Sequence, residues 1–285
     1  LRRIFADFNP TDEQHMVYKR LEELKGSLGG FNYVHATLVD NPAMTPQRIE
    51  EIKSEYDPDS LDFKRYILGQ RINPAGLIYN VRDYNIIDEW DKNEYIRYIV
   101  VADPGENTSA TAFILMGLRK FNKGVDVLAE YNHRNADERG AGIKSPYDYA
   151  VDYINFCKEC EELTGRGLYN RLSDHDLTFM REYDRVKFKL NYGHTLNKVL
   201  KDEIDERIKT GINLLYKGRL RFYKDCTNTI QSFKSAVYNS KKEKLGKYER
   251  LDEPQNGTRI DHIDAVEYGF TEFKNELQRY TGDVI

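Results

Sequence analysis

The segment that most constrains the fold is Glu94–Ala102, EYIRYIVVA, which runs into Asp103-Pro104-Gly105. A continuous β-branched and aromatic run of this length reads as one buried strand. A strand covered on both faces demands a layered protein with helices packed on a sheet. The Asp-Pro-Gly that follows turns the chain away and leaves a carboxylate at the strand's C-terminal end. Ser109–Leu118 reads as a second strand and Val125–Tyr131 as a third, with Phe121–Gly124 supplying the turn between them. Beyond these come a long helix (Tyr147–Leu163), a strand near Leu168–Ser173 and a short helix. A strand at Val186–Leu190, an amphipathic helix over Leu196–Thr210 and a strand at Arg219–Tyr223 follow. A helix over Thr227–Tyr238 and a last helix from near Asp261 complete the order.

Three meandering strands followed by alternating helices and strands predict an α/β fold, a mixed sheet with helices on both faces, in the order of a ribonuclease H-like fold. Upstream the pattern differs. Residues 1–75 read as a small, mostly helical extension with one strand. Thr11 caps a helix over Asp12–Lys25, Phe31–Val39 is rich in β-branched and aromatic residues, Thr45 caps a helix opening on Pro46, and Ser60–Leu68 reads as another helix. Residues 76–94 read as a connector, in which Gly76–Ile87 is an extended segment or hairpin, and 95–285 as the main domain. The Lys-rich stretch Lys241–Arg250, with Gly246 at its centre, reads as a hairpin or mobile loop.

A length of 285 residues with 40% hydrophobic composition suits one large domain with a smaller appendage. The mean hydropathy is −0.72, no stretch approaches the ~20 apolar residues of a membrane span, and the N-terminus lacks the pattern of a secretory signal. Its start at Leu1 rather than at methionine reads as a fragment or processed product. The cysteines are Cys157, Cys160 and Cys226, a low, odd count that argues for a reducing compartment. Cys157 and Cys160 form a C-x-x-C, but no second ligand pair follows to complete a zinc site, and both fall inside the predicted long helix, where they read as packing groups. The net charge of −4 hides an asymmetry: Arg185–Arg250 holds 17 Lys and Arg against 7 Asp and Glu, so this part carries +10 and the remainder −14. A basic lobe beside an acidic remainder fits a protein that holds a polyanion at one face, although a solvated Lys-rich surface reads the same way.

Three carboxylates stand out. Asp103 ends the central strand, as a ligand or as a turn residue. Asp174 ends the strand at Leu168–Ser173; Asp176 is better placed to cap the helix that follows, so Asp174 reads as the ligand and Asp176 as the cap. Asp264 lies at the start of the last helix, three residues beyond Asp261 and therefore on its face. Asp261 also reads as a cap favoured by the helix dipole. His262, between them, reads equally as a group that positions water or protonates a leaving group and as a hydrogen-bonded structural histidine. Carboxylates from three separated elements are what two Mg²⁺ or Mn²⁺ ions require. Two such ions roughly 3.5–4 Å apart activate water and stabilise the leaving oxygen of a phosphodiester.

The stretches V-V-A-D-P-G-E-N-T-S-A-T-A-F (Val100–Phe113) and D-H-I-D-A-V-E-Y-G (Asp261–Gly269) resemble the two end motifs of the nuclease domain of large terminase subunits of tailed phages. T-G-I-N-L-L-Y-K-G-R-L-R-F-Y (Thr210–Tyr223) and S-A-V-Y-N-S-K (Ser235–Lys241) fit the same family. Upstream, F-N-P (Phe8–Pro10) and V-H-A-T-L-V-D-N-P-A-M (Val34–Met44) resemble the end of its ATPase domain. The resemblance spans nearly the whole chain. It implies a ribonuclease H-like nuclease with Asp103, Asp174 and Asp264 as metal-binding acids. It also implies double-stranded DNA as substrate, the small terminase subunit and the portal protein as partners, and action in the cytoplasm of the infected host cell. There is no G-x-x-x-x-G-K-S/T loop, and Gly29-Gly30 is no substitute, so productive ATP binding is not expected of this piece.

Two other readings stay open. Asp103-Pro104-Gly105 with Thr108 and Ser109 resembles the phosphate loop of actin-like ATPases and sugar kinases, though no second phosphate loop or Gly-rich adenosine site follows residue 200. A non-catalytic docking or regulatory module would use the same carboxylates as caps and turn residues. Within the basic segment, Lys241, Lys242, Lys244 and Lys247 are the candidate DNA contacts. Replacing all four with alanine is expected to weaken DNA binding irrespective of sequence and to flatten its salt dependence; unchanged binding in a salt titration would remove these lysines from the interface.

Overall fold

A computed structural model describes residues 36–60, 62–70, 77–105, 109–139, 142–239, 249–251 and 260–279. The chain divides into two compact units, one of Leu1–Ile78 with Val237–Leu251 and one of Tyr79–Ala236 with Asp252–Ile285.

In the first unit, Thr45 accepts the Arg48 amide at 3.2 Å and caps helix α1 (Pro46–Ser54), with proline in its first turn as the sequence predicts. The strand expected through Val39 does not extend that far. Leu38–Asp40 form a 3₁₀ turn, because the Asp40 carboxylate reaches back to the amide and hydroxyl of Thr37, each at 2.7 Å. The helix expected over Ser60–Leu68 is present as a π-helical turn at Phe63–Ile67, with the Ser60 hydroxyl accepting the Phe63 amide at 3.1 Å. The helix expected at Asp12–Lys25 and the start of the Phe31–Val39 strand lie outside the described residues. Leu77 bridges Val237 and Tyr238 bridges Arg250, both antiparallel. Residues 240–248, with Lys241, Lys242, Lys244 and Lys247, lie outside the described residues.

The second unit is built on a seven-stranded mixed sheet. Its strands are β1 (Ile86–Ile87), β2 (Tyr95–Asp103), β3 (Thr111–Arg119), β4 (Val125–His133), β5 (Asn170–Ser173), β6 (Asn197–Lys198) and β7 (Leu220–Tyr223), in the spatial order β1-β7-β4-β3-β2-β5-β6. β2, β3 and β4 form the antiparallel meander read from the sequence; β5 joins β2 in parallel and β6 joins β5, while β7 joins β4 and β1 joins β7, also in parallel. This is the predicted ribonuclease H-like arrangement. Parallel additions need crossovers, which the helices supply: α2 (Pro146–Thr164), α3 (Leu177–Lys189) and α4 (Ile204–Tyr216), followed after β7 by α5 (Thr227–Ser235), α6 (Ile260–Glu272) and α7 (Lys274–Gln278).

Every residue of β2 from Tyr98 to Ala102 is buried, which explains its unbroken apolar run. On one face Tyr98, Val100 and Ala102 pack with Phe113 and Leu115 against Tyr153, Cys157 and Cys160 of α2 and Phe179, Tyr183 and Val186 of α3. The Tyr153 hydroxyl lies 3.0 Å from the Val100 carbonyl and 3.2 Å from that of Leu172, tying α2 to both β2 and β5. Burial pushes both thiols of the C-x-x-C pair up, Cys157 to about 12, so they pack as apolar groups. Asp126, fully buried on β4, is matched by Tyr95 at 2.8 Å and by two nitrogens of Arg221 at 2.9 and 2.6 Å, which satisfies a charge that would otherwise be costly inside the sheet.

Two predicted elements are wrong. Val186–Leu190 is the last part of α3 rather than a strand: Phe179, Tyr183 and Val186 follow the helical period into the core, while Phe188 is 80% exposed. The helix expected over Leu196–Thr210 begins only at Ile204, because Asn197 and Lys198 pair with Leu172 and Ser173 as β6, and Leu196 and Val199 are buried from extended chain.

On the other face α6 lies directly on β2 and β3, seated at Gly269. A β-carbon there would stand 2.1 Å from the sulfur of Met116 and 3.4 Å from a methyl of Val101. Both neighbours are fully buried and have no solvent to retreat into. Gly269→Ala is therefore expected to cost about 1–3 kcal/mol by overpacking, seen as a lower midpoint in urea with an unchanged slope; an unaltered midpoint would mean that the seat is loose.

Candidate functional site

The register of β2 and β5 decides where two of the acids fall. Ala102 pairs with Ser173, and the Asp174 amide donates to the Ala102 carbonyl at 3.1 Å. Asp103 and Asp174 therefore follow matched residues at the same ends of adjacent parallel strands. The third acid arrives on α6, whose seat on β2 and β3 presents its first turns at this edge of the sheet. The loop after Asp103 is tied to that helix, since the Asp261 carboxylate accepts the Ala110 amide at 2.9 Å.

The electrostatics record the convergence. Asp103 keeps a partly exposed edge, yet its carboxyl is held well above the ordinary range. Desolvation is the largest cause, followed by the charges of Asp264, Asp261 and Asp174, with Lys201 pulling the other way. Asp261 is raised to about 6, again chiefly by burial, against the hydrogen bond it accepts from Ala110. The Tyr268 phenol, on the same helix, is raised by burial and then by Asp264, Asp103 and Asp174. Four acids from three elements thus act on one another at one end of the sheet.

Each of the other two acids has a cation on it. Lys201 pairs with Asp174, and Arg207 of α4 pairs with Asp264 at 2.7 Å and with Glu267 at 3.0 Å. Glu267 is itself fully buried and accepts the Tyr79 hydroxyl. Among the described residues no three His, Cys, Asp or Glu side chains are gathered closely enough to hold a metal ion between them. Carboxylates that repel one another and turn toward basic side chains adopt such an arrangement. As a donor set they nevertheless fit a hard divalent ion: the oxygens are carboxylate, they come from separate elements, and their mutual repulsion is relieved by a cation.

The remaining candidates have other partners. Asp176 caps α3, its Oδ1 accepting the amides of Thr178 at 2.7 Å and Phe179 at 3.0 Å. His262 is fully buried; one ring nitrogen lies 3.0 Å from the Thr229 hydroxyl and the other 3.0 Å from the Asn132 side-chain oxygen. It thereby braces α6 against α5 and β4. A cavity of about 240 Å³ lined by Pro104, Gly105, Lys144, Tyr149, Asp176 and Thr178, among others, flanks the acid cluster without including Asp103, Asp174 or Asp264.

Sequence reasoning missed Lys201, Arg207, Glu267 and Tyr268. One signal is present: Asp261, Asp264 and Glu267 recur every three residues, an acidic stripe on one helical face that needs a basic partner. Nothing local marks Lys201, which β6 brings into place. The Val199 amide donates to Ser173 at 3.0 Å, and the next residues lead the lysine to Asp174.

No family model and no curated protein matches the sequence. Solved structures do match in fold. Two crystal forms of the large terminase of a thermophilic bacteriophage align with TM-scores of 0.71 and 0.70 at 20% identity, each over 93% of this chain. The chain spans 60% and 62% of the length of those structures. The nuclease domain of the P22 large terminase aligns over its whole length and 74% of this chain, with a TM-score of 0.50 at 10% identity. The likeness at such identities is one of fold: this chain is built as large terminase structures are, with the ribonuclease H-like sheet of their nuclease domains.

Proposed function

We propose that this chain is the nuclease portion of a viral DNA-packaging terminase, a metal-dependent endonuclease that cuts double-stranded DNA. The observation that supports the reading most is the placement of Asp103 and Asp174 at the matched ends of β2 and β5 with Asp264 on the helix seated on β2 and β3, so that burial and the neighbouring acids oppose the charge of Asp103. Residues 95–285 would form the nuclease domain, 1–75 the end of an ATPase domain and 76–94 the connector.

Asp103, Asp174 and Asp264 would hold Mg²⁺ or Mn²⁺, two ions in the expected arrangement, and the bound metal would supply an activated water and neutralise charge on the scissile phosphate. The chain's own groups do the rest. The sheet fixes the spacing of Asp103 and Asp174. Arg207 holds the Asp264 side chain from behind. Asp261 ties the start of β3 to α6 by accepting the Ala110 amide. His262, buried between Thr229 and Asn132, serves α6 as a brace. Concatemeric DNA as substrate, with the small terminase subunit and the portal protein as partners, would come with the packaging role.

A second reading, a docking or regulatory module without catalysis, is favoured by one observation: Asp174 and Asp264 are both in ion pairs with the chain's own Lys201 and Arg207. Plasmid cleavage separates the two. With Mn²⁺ or Mg²⁺ the chain is expected to nick or linearise plasmid, EDTA is expected to stop it, and Asp103→Asn is expected to lower the rate at least about a hundredfold. Absence of both cleavage and Mn²⁺ binding would favour the module.

The same substitution is expected to act on stability in the opposite sense. Ionised Asp103 is disfavoured in the folded chain, so a neutral isostere removes a cost at neutral pH. In EDTA, Asp103→Asn is expected to be more stable by on the order of 1 kcal/mol, a rise of about 2–4 °C in Tm. A Tm at or below that of the parent would show that the acid cluster carries no such strain.

A further inference from the structure

The two cations at the acid cluster are held unequally. The Arg207 side chain is 8% exposed and bridges two carboxylates, one of them the fully buried Glu267. Its guanidinium also lies 4.9 Å from the centre of the Tyr268 ring. Withdrawing it would leave uncompensated charges in the interior, a heavily penalised state. The Lys201 side chain is 39% exposed and pairs with Asp174, itself 26% exposed. Its ammonium already lies 5.4 Å from the same Tyr268 ring, on which a cation is favourably placed. A lysine carries a point charge on a flexible stem, and a part-exposed pair of this kind is weak.

We infer that Lys201 is an exchangeable counter-cation of the site: it sits on Asp174 in the metal-free protein and yields that carboxylate to a divalent ion, moving along the face of Tyr268 to the rim. Arg207 stays on Asp264 and Glu267 throughout. An ammonium and a metal ion compete for the same oxygens of Asp174, because each draws the carboxylate toward itself and their like charges repel. The displaced ammonium, beside the acids and open to solvent, is then free to meet a phosphate oxygen. The inference rests on the proposed role of Asp103, Asp174 and Asp264 as ligands.

Calorimetric titration with Mn²⁺ alone tests this in the parent chain and in Lys201→Met, which keeps the apolar stem over Tyr268 and removes the charge. The neutral variant is expected to bind Mn²⁺ about two- to fivefold more tightly, the competition of a part-exposed pair being worth no more than that. Lys201→Arg is expected to stay near the parent or bind more weakly. Lys201→Gln provides a second neutral side chain if the methionine variant folds poorly. Equal or weaker Mn²⁺ binding by folded neutral variants overturns the exchange while leaving the ligand assignment standing. Absence of Mn²⁺ binding in every chain, parent included, overturns the ligand assignment and the exchange with it.

Discussion

Where Gly269 lets α6 approach the sheet, the sulfur of Met116 and a methyl of Val101 fill the space a side chain would need. The helix that carries Asp261, Asp264 and Glu267 is thereby laid on β2, which ends in Asp103, and on β3, and everything at the acid cluster depends on that seat. Its apolar contacts are fully buried and its one histidine is spent on bracing it to α5 and β4. Hydrophobic packing here does what hydrogen bonding cannot, since it forces together groups whose charges oppose the approach.

That opposition is met from outside the cluster. Asp126, the buried acid deep in the sheet, is satisfied by Tyr95 of β2 and Arg221 of β7, strands of the same sheet. Asp174 and Asp264 instead take cations from beyond the edge strand and from α4. The contrast separates a carboxylate that cements the sheet from carboxylates that remain addressable. A chain selected for stability alone would replace the second kind with apolar residues, as buried ion pairs can be replaced without loss.

Much of this architecture is legible in the sequence, because it is set by local rules. The apolar run of β2, the turns of the meander and the Thr45 and Asp176 caps each carry their own signal, and Asp103, Asp174 and Asp264 stand out because strand ends and helix starts expose carboxylates. The errors arise where tertiary contacts overrule local pattern. V-K-F-K-L alternates like a strand, yet Val186 belongs to a helical stripe whose other members lie earlier in the chain, and Phe188 is left in solvent. Leu196–Lys198 is extended because β5 offers an edge to pair with, which no residue within the segment announces. Lys201 and Arg207 escape notice for the same reason: their roles are defined by carboxylates 27 and 57 residues distant in sequence.

The matched ends of β2 and β5 also work as a ruler. Asp103 and Asp174 occupy neighbouring positions on parallel strands, so their backbones are held about 4.8 Å apart by the ladder itself. Neither the 70 residues between the two acids nor the identity of the side chains that fill the core enters that spacing. Connections can lengthen, shorten or drift in composition while the gauge between the two acids stays constant. Insertion or loss of one residue within either strand, by contrast, would turn an acid to the opposite face of the sheet. Sequence divergence in such a chain is thus free to be wide in the crossovers and core packing, and is confined where the ladder sets the measure.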